Sequence, residues 1–296
     1  MDYSEQSQTK ITLSDIGKKH ILDNLSQTSL SSDQKEKLIR DLIQILNDER
    51  AQNLQKKQDS NIFTKDKESL FSRHNELIKI AYGDNESFST FNLNNNTVEI
   101  LAGHLLSQKT IVFSELASVK HEYLMISNLR SDKYKALDEN LIIFNFKMNE
   151  LIQKFHQSLR EPLANYVKSP FSILNTRAWI TKPGSIKVGP NAQHTDGFAP
   201  GHLKIMIYLT PLDDNFGKLS IDSKLLTSAN AGACVIFKNS DVLHNGIPGL
   251  KYPRICIEIT LLRSFINCHQ FHDSHPNGKH YFNLSTPYLK NDHLFS

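Results

Sequence analysis

Three residues in the last third of the chain have the types and spacing of a metal centre. His194 and Asp196 are separated by one residue, and His244 follows 50 residues after His194. Two imidazoles and one carboxylate form the facial triad, which holds iron(II) on one face and leaves the opposite positions open. Residues two apart in an extended segment project to the same side, so His194 and Asp196 can reach one ion. The pattern predicts an iron(II) site with His194, Asp196 and His244 as ligands.

Ten residues beyond His244, Arg254 has the chemistry of an anion anchor. A guanidinium binds a carboxylate through two parallel charge-assisted hydrogen bonds, so Arg254 could bind the carboxylate of a ligand at this site. His244 lies in the run VLHNG, and Arg254 opens the apolar run RICIEITLL after the turn GIPGLKYP. If the two runs pair as antiparallel strands, His244 and Arg254 come to neighbouring positions inside a barrel.

The segments around these residues indicate antiparallel β-structure. After Pro170 the chain consists of short apolar runs separated by Gly, Pro, Asn and Asp, and no long helical period interrupts them before about Phe265. Parallel strands need long crossover connections, so closely spaced strands favour an antiparallel sandwich or barrel. The runs are ILNTRAWIT, SIKV, LKIMIYLTP, KLSI, ACVIFK, VLHNG and RICIEITLL.

The chain before Pro170 is predicted to be mostly helical. Ser31 and Gln34 can form a capping box at the start of a helix. Apolar residues at helical spacing, including Leu38, Leu42 and Ile45, follow this box. The helices predicted from this period cover about residues 32–57, 67–81 and 138–168.

Together these patterns predict an α+β chain of 296 residues in which helices brace a β-rich catalytic core. The alternative is that the helices dock a macromolecular substrate, but an apolar stripe on a helix more often belongs to the core. The predicted regions are a polar arm or short helix over 1–30, a mainly helical region over 31–168, the core over 169–266 and a C-terminal extension over 267–296.

Composition narrows the class of protein further. The net charge is +3, and no run of five Lys or Arg offers a track for nucleic acid. The three cysteines, at spacings of 22 and 12, fit neither a disulfide framework nor a zinc ribbon. No stretch approaches the roughly 18 apolar residues of a membrane span, and the N-terminus lacks the pattern of a signal peptide. We therefore expect a soluble cytoplasmic protein with reduced thiols.

Several segments resemble the iron- and 2-oxoglutarate-dependent oxygenase superfamily. They are QHTDG, LKIMIYLTP, the turn at Gly217, GACVIFKNSDVLHNG and PRICIEI. Their order is most similar to the phytanoyl-CoA hydroxylase-like branch, with the prolyl hydroxylase-like branch second. The resemblance covers roughly residues 173–263. It implies a double-stranded β-helix, the cupin-like jelly roll, with iron(II) on the triad, 2-oxoglutarate held by Arg254, and O2 as the oxidant.

The same resemblance implies a dioxygenase that hydroxylates a small-molecule substrate and releases succinate and CO2. Relatives that halogenate replace the carboxylate ligand with a small residue, so the presence of Asp196 favours hydroxylation or a related oxidation. Two alternatives remain open, namely a protein hydroxylase or demethylase of the same superfamily and a non-catalytic cupin-like metal-binding protein. The identity of the substrate and the oligomeric state are open as well.

Other polar residues could complete the pocket. Gln193 and Arg177 could line the co-substrate or substrate pocket, or lie on an exposed strand face. Lys204 is the rival of Arg254, because some branches of the superfamily anchor 2-oxoglutarate with a lysine. It lies only eight residues past Asp196, which favours Arg254. The C-terminal segment CHQFHDSHPNGKHY, with four histidines, is interpreted as a surface loop and not as a second metal site.

Overall fold

The computed structural model describes residues 10–56, 65–94, 98, 123–127, 139–144, 159–184, 191–196, 198–269 and 284. The helices and strands are α1 (Asp15–Asn24), α2 (Ser32–Lys56), α3 (Lys65–Tyr82), β1 (Phe88–Asn92), β2 (Tyr123–Ser127), β3 (Glu139–Phe144), β4 (Phe171–Thr181), β5 (His202–Tyr208), β6 (Gly217–Ile221), β7 (Lys224–Leu226), β8 (Ala233–Lys238), β9 (His244–Pro248), β10 (Arg254–Arg263) and β11 (Cys268–His269).

The described residues form two sheets, of which the larger has the strand order β1-β8-β5-β10-β4-β3-β2, and β11 pairs with β4. All pairs are antiparallel except β11 with β4. Every residue of β10 is buried, because this central strand is covered on both faces. On one face, Ile257 and its apolar neighbours pack with the helical residues Leu163 and Val167.

The smaller sheet has the order β7-β6-β9. Alternate residues of β6 are buried, and Leu219 and Ile221 pack with Tyr208 and Phe237 of the larger sheet. Gly217, at the start of β6, has a φ of +120°, and a Cβ there would lie 2.5 Å from the carbonyl oxygen of Ile247. Only glycine fits this position without strain. The two sheets thus enclose an interior that is separate from the outer face of β10.

The first helices follow the sequence pattern closely. α2 and α3 confirm the helices predicted over 32–57 and 67–81. The capping box forms as predicted: Ser31 N donates to Gln34 Oε1 at 2.8 Å, and Gln34 N donates to Ser31 Oγ at 3.3 Å. α1 is the short helix allowed for within residues 1–30, and Ser14 Oγ accepts from Gly17 N at its start.

The N-terminal helices pack on the C-terminal end of β10. Leu42 and Ile45 of α2 and Ile78 of α3 share one buried apolar cluster with Leu262 and Phe265. Leu42 is 1% exposed, Ile78 and Leu262 are fully buried, and Phe265 is 1% exposed. This apolar face of the helices is therefore covered by the chain itself.

The helix predicted over about 138–168 is wrong at its start. Residues 139–144 form β3, which pairs with β2 and β4, whereas residues 159–167 are helical. Periodicity does not distinguish a short apolar run in a helix from a buried strand, and pairing with β4 supplies the backbone hydrogen bonds. β1 and β2 also lie within the region predicted to be mainly helical. The four region boundaries remain predictions.

Two predicted features fall outside the described residues. One is the strand SIKV, and the other is the set of histidines at 272, 275 and 280. Of the C-terminal segment that contains these histidines, the structure describes the backbone of β11. Within the described ranges, no helix combines the length and apolar character needed to cross a membrane.

Candidate metal and anion site

The structure brings His194, Asp196 and His244 together at one end of the interior between the sheets. His194 Nε2 lies 3.4 Å from Asp196 Oδ1, and His244 Nε2 lies 3.5 Å from Asp196 Oδ2. One potential ligand atom from each of the three residues lies within 4.8 Å of the other two. Among the described residues, this is the group whose donor atoms converge closely enough for one metal ion.

Backbone pairing places the two histidines side by side. His194 N donates to His244 O at 3.0 Å, and His244 N donates to His194 O at 2.9 Å. This reciprocal pair aligns the segment that carries His194 and Asp196 with the first residue of β9. The ring centroids of the two imidazoles are consequently 4.4 Å apart.

Each imidazole is held in the tautomer that a metal requires. His194 Nδ1 lies 2.7 Å from the carbonyl oxygen of Ala192, and His244 Nδ1 lies 3.0 Å from that of Val242. A carbonyl oxygen only accepts, so each Nδ1 carries the proton and donates it. When the ring is neutral, each Nε2 therefore carries the lone pair that a metal ion could bind. A hydrogen bond from the ring nitrogen that does not bind the metal orients metal-binding histidines in general.

The charges at the triad suit a divalent cation. Burial opposes ionisation of Asp196 most strongly, but Lys204 and the histidines outweigh it and hold the pKa of this carboxyl below its usual range. Burial, followed by the charge of Lys204, lowers the pKa of His244 to about 4, so this ring is neutral at pH 7. The hydrogen bond to Asp196 raises the pKa of His194. One carboxylate and two nitrogen donors match the preference of iron(II).

Arg254 is buried in the same interior and meets neutral partners in the described part of the chain. Its Nη1 donates to the carbonyl oxygens of Lys218 at 3.0 Å and Ile247 at 3.1 Å, and its Nη2 donates to Thr181 Oγ1 at 3.3 Å. Arg254 Nε is buried without a hydrogen-bond partner among the described residues. A buried cation with spare donors and only neutral partners is suited to bind an anion.

A glycine makes room for this guanidinium. Gly246 lies two residues after His244 on β9, and a Cβ at this position would come within 2.4 Å of Arg254 Nη2.

The predicted pairing of the strands that carry His244 and Arg254 is wrong: β9 pairs with β6, whereas β10 pairs with β4 and β5. The Arg254 side chain instead crosses the space between the sheets to reach β9.

Two buried charged residues lie next to the triad. Lys204 on β5 forms an ion pair with Asp196 and a second one, with Nζ 3.6 Å from an oxygen of Glu258 on β10. Their side chains are 5% and 4% exposed. Sequence reasoning considered Lys204 only as a co-substrate anchor and missed Glu258. A single carboxylate inside the apolar run RICIEITLL was the available signal, because such residues are rarely fully buried unless paired.

The structure describes the other two predicted pocket residues, Gln193 and Arg177, to different extents. Gln193 is exposed. For residues 175–180 the structure describes the backbone, and it pairs Arg177 with Glu258 across β4 and β10. The pocket roles of Gln193 and Arg177 stay predictions.

Tyr208, which sequence reasoning also missed, is 1% exposed; burial raises its pKa, whereas the charge of nearby Arg254 lowers it.

The chain resembles several solved structures at low sequence identity. One is SnoN, a non-heme alpha-ketoglutarate-dependent epimerase from nogalamycin biosynthesis, with a TM-score of 0.43 and 12% identity over 66% of this chain and 83% of that one. A second is a viral collagen prolyl hydroxylase from Paramecium Bursaria Chlorella virus-1, with a TM-score of 0.42 and 14% identity over 60% and 97%. A third is a prolyl-4-hydroxylase from Pseudomonas putida, with a TM-score of 0.43 and 13% identity over 66% and 100%.

SnoN has also been solved in complex with Fe3+ and alpha-ketoglutarate. No family model matches this chain, and no curated protein matches it. A functional assignment for this chain therefore rests on the residues of the site. The predicted place in the phytanoyl-CoA hydroxylase-like branch stays a prediction.

Proposed function

We propose that the chain is an iron(II)- and 2-oxoglutarate-dependent dioxygenase that hydroxylates a small molecule. The observation that carries this proposal is the combination of two features in one buried interior. One is a His-Asp-His triad with both imidazoles held through Nδ1. The other is a buried arginine whose partners in the described part of the chain are neutral. Together they offer a ligand set for a divalent metal and a separate anchor for a carboxylate.

The ligands in this proposal are His194 Nε2, His244 Nε2 and one oxygen of Asp196. Iron(II) bound there would supply the redox chemistry that activates O2 for oxidation of a substrate carbon. The carboxylate ligand occupies a position that a halide would otherwise need, which supports hydroxylation over halogenation. The protein's own contribution is to hold these three donors in a shielded interior, where Asp196 has 14% of its side chain exposed.

Arg254 is the proposed anchor for the distal carboxylate of 2-oxoglutarate. Its Nε, which has no hydrogen-bond partner among the described residues, and the close approach of its guanidinium to Gly246 support this role.

The strand order supports the finer fold proposal, a double-stranded β-helix. From β5 onward, successive segments change sheet: β5 lies in the larger sheet, β6 and β7 in the smaller, β8 in the larger, β9 in the smaller and β10 in the larger. This back-and-forth winding is typical of a jelly roll. In this winding, His244 is the first residue of β9 and the proposed anchor Arg254 is the first residue of β10.

The test is anaerobic binding of the metal and the co-substrate. We expect the purified protein with Fe(II) and 2-oxoglutarate to develop a weak visible charge-transfer band. We expect Arg254→Met to lose this band at the same 2-oxoglutarate concentration while it retains Fe(II). Arg160→Met, at an exposed position in the helical segment 159–167, is the matched control and should behave as the wild type. A folded, Fe(II)-loaded wild type without the band would refute the proposal.

A positive result is followed by turnover. The wild type in air should convert 2-oxoglutarate slowly to succinate without a substrate, and a metabolite screen for compounds that accelerate succinate formation would identify the substrate. Asp196→Ala should bring succinate formation to background. If the metal-loaded wild type releases no succinate with any compound, the cupin-like metal-binding alternative is favoured instead.

A further inference from the structure

Lys204 creates an electrostatic problem at the triad. Its ammonium forms an ion pair with Asp196, the one anionic residue of the proposed ligand set. A cation in this position offsets the charge of the carboxylate and repels a metal ion, and at a largely buried site solvent and salt screen this effect much less than at the surface. With Lys204 alone as a partner, Asp196 would be a poor ligand for a divalent metal.

Glu258 lies where it can solve this problem. Its carboxylate is 3.6 Å from Lys204 Nζ, on the neighbouring central strand, and both side chains are almost completely buried. The ammonium thus lies between two carboxylates, one from the proposed metal centre and one outside it. At this distance the negative charge of Glu258 offsets the positive charge of Lys204, so Asp196 retains more of its own negative charge for a metal.

Strand geometry keeps the Lys204–Glu258 pair in register. Lys204 pairs with Thr260 across β5 and β10, so Glu258 is at the diagonal position on the same face. On its other side, Lys204 pairs with Phe237 of β8, which also packs near His244 with ring centroids 4.7 Å apart. Both residues are therefore fixed by the centre of the larger sheet and not by a surface loop.

We propose that Glu258 is a positioning residue of the metal centre, which by pairing with Lys204 keeps the ammonium from neutralising Asp196. The inference rests on the proposed function only in the assignment of Asp196 as a metal ligand. It concerns metal affinity, and it requires neither 2-oxoglutarate nor turnover.

The experiment measures the dissociation constant for Zn(II) by competition with a chromophoric chelator. Zn(II) binds nitrogen and oxygen donors and has no redox chemistry, so the readout is independent of oxygenase activity. In Glu258→Gln, Lys204 is left to pair with Asp196 alone, and we expect the dissociation constant to rise about tenfold or more, which is the scale of one lost charge interaction. Glu76→Gln, at an exposed glutamate paired with Lys79, is the control and should leave it unchanged.

The decisive variant is the double substitution Lys204→Met with Glu258→Gln. It removes both charges of the pair, so we expect Zn(II) affinity to return to within about threefold of the wild type, because compensated charges can be replaced together at little cost. A merely structural role for Glu258 predicts the opposite, since two buried substitutions would then weaken binding more than one. Thermal melting of each variant checks that the fold is retained.

The outcomes separate the two proposals. If the wild type binds Zn(II) and Glu258→Gln binds it equally well, the positioning role is refuted and the proposed function stands. The same conclusion holds if the double variant binds more weakly than Glu258→Gln. If the folded wild type binds no Zn(II), the assignment of the triad itself is wrong and both proposals are overturned.

Discussion

At the scale of single residues, the site depends on the metal-binding atoms and the guanidinium, and equally on the neighbouring groups that orient them. The carbonyl oxygens of Ala192 and Val242 set the tautomers of the two imidazoles. Gly246 contributes by having no side chain, because the Arg254 guanidinium occupies the space that a Cβ would need. The metal ligands and the anchor are therefore separable by mutation.

Substitution of Gly246 tests this separation. In Gly246→Ala the new methyl group would displace the end of the Arg254 side chain, which is flexible enough to move without unfolding the strand. We expect the dissociation constant for 2-oxoglutarate to rise about tenfold, equivalent to about 1.4 kcal/mol. Zn(II) affinity of the same variant is the internal control and should stay within about twofold, well below that tenfold step. Equal affinity for 2-oxoglutarate would place the anchor elsewhere, with Lys204 as the next candidate.

At the scale of elements, β10 serves the site and the core with opposite faces. Arg254, Cys256 and Glu258 alternate with Ile255 and Ile257, and the isoleucines belong to the cluster on the outer face. The alternation is a direct consequence of the pleat, which sends successive side chains to opposite sides. A strand buried on both faces holds a charged residue only where the interior offers a partner, as Lys204 does for Glu258.

Truncation on the outer face of β10 should lower stability and leave the site intact. Leu261 is fully buried in that outer cluster, and Leu261→Ala should lower the free energy of unfolding by about 2–5 kcal/mol. Leu225 on β7 is 50% exposed, so the matched Leu225→Ala should change it by less than about 0.5 kcal/mol. Urea denaturation followed by circular dichroism measures both. A similar small effect for the two variants would contradict the central position of β10.

At the scale of the whole molecule, the N-terminal helices and the sheets share one apolar cluster. Leu42 of α2 packs into the cluster that contains Leu262 and Phe265 at the end of β10. This packing supports the prediction that the helices brace the core. It leaves no uncovered apolar stripe at Leu38, Leu42 and Ile45 for a macromolecular substrate, because all three are buried.

If the helices brace the core, a substitution that destabilises the helices should also destabilise the metal site. Leu42→Ala should cost about 2–5 kcal/mol and lower the urea midpoint for loss of bound Zn(II) together with that for loss of helix. Ile80→Ala, at a position of α3 that is 59% exposed, is the control and should shift neither midpoint. Separate transitions, with Zn(II) retained after the helices unfold, would show that the helices form an independent unit.

The sequence by itself determined the parts of this protein that depend on local chemistry. The spacing of His194 and Asp196 predicted that these two side chains meet on one side of the chain, since alternation along an extended segment is a local property. The positions of α2 and α3 followed from a 3.6-residue period, and the start of α2 followed from its capping box as well. In each case the information lies within a few residues.

Only the tertiary structure decided the features that depend on which segments meet. It assigned β9 and β10 to different sheets, although a short turn joins them, because each finds its partners among strands distant in sequence. It made β3 a strand, because pairing with β4 outweighed a helical pattern. It also brought Lys204 within reach of Asp196 and Glu258, and a contact between residues 54 positions apart leaves no mark in the local sequence pattern.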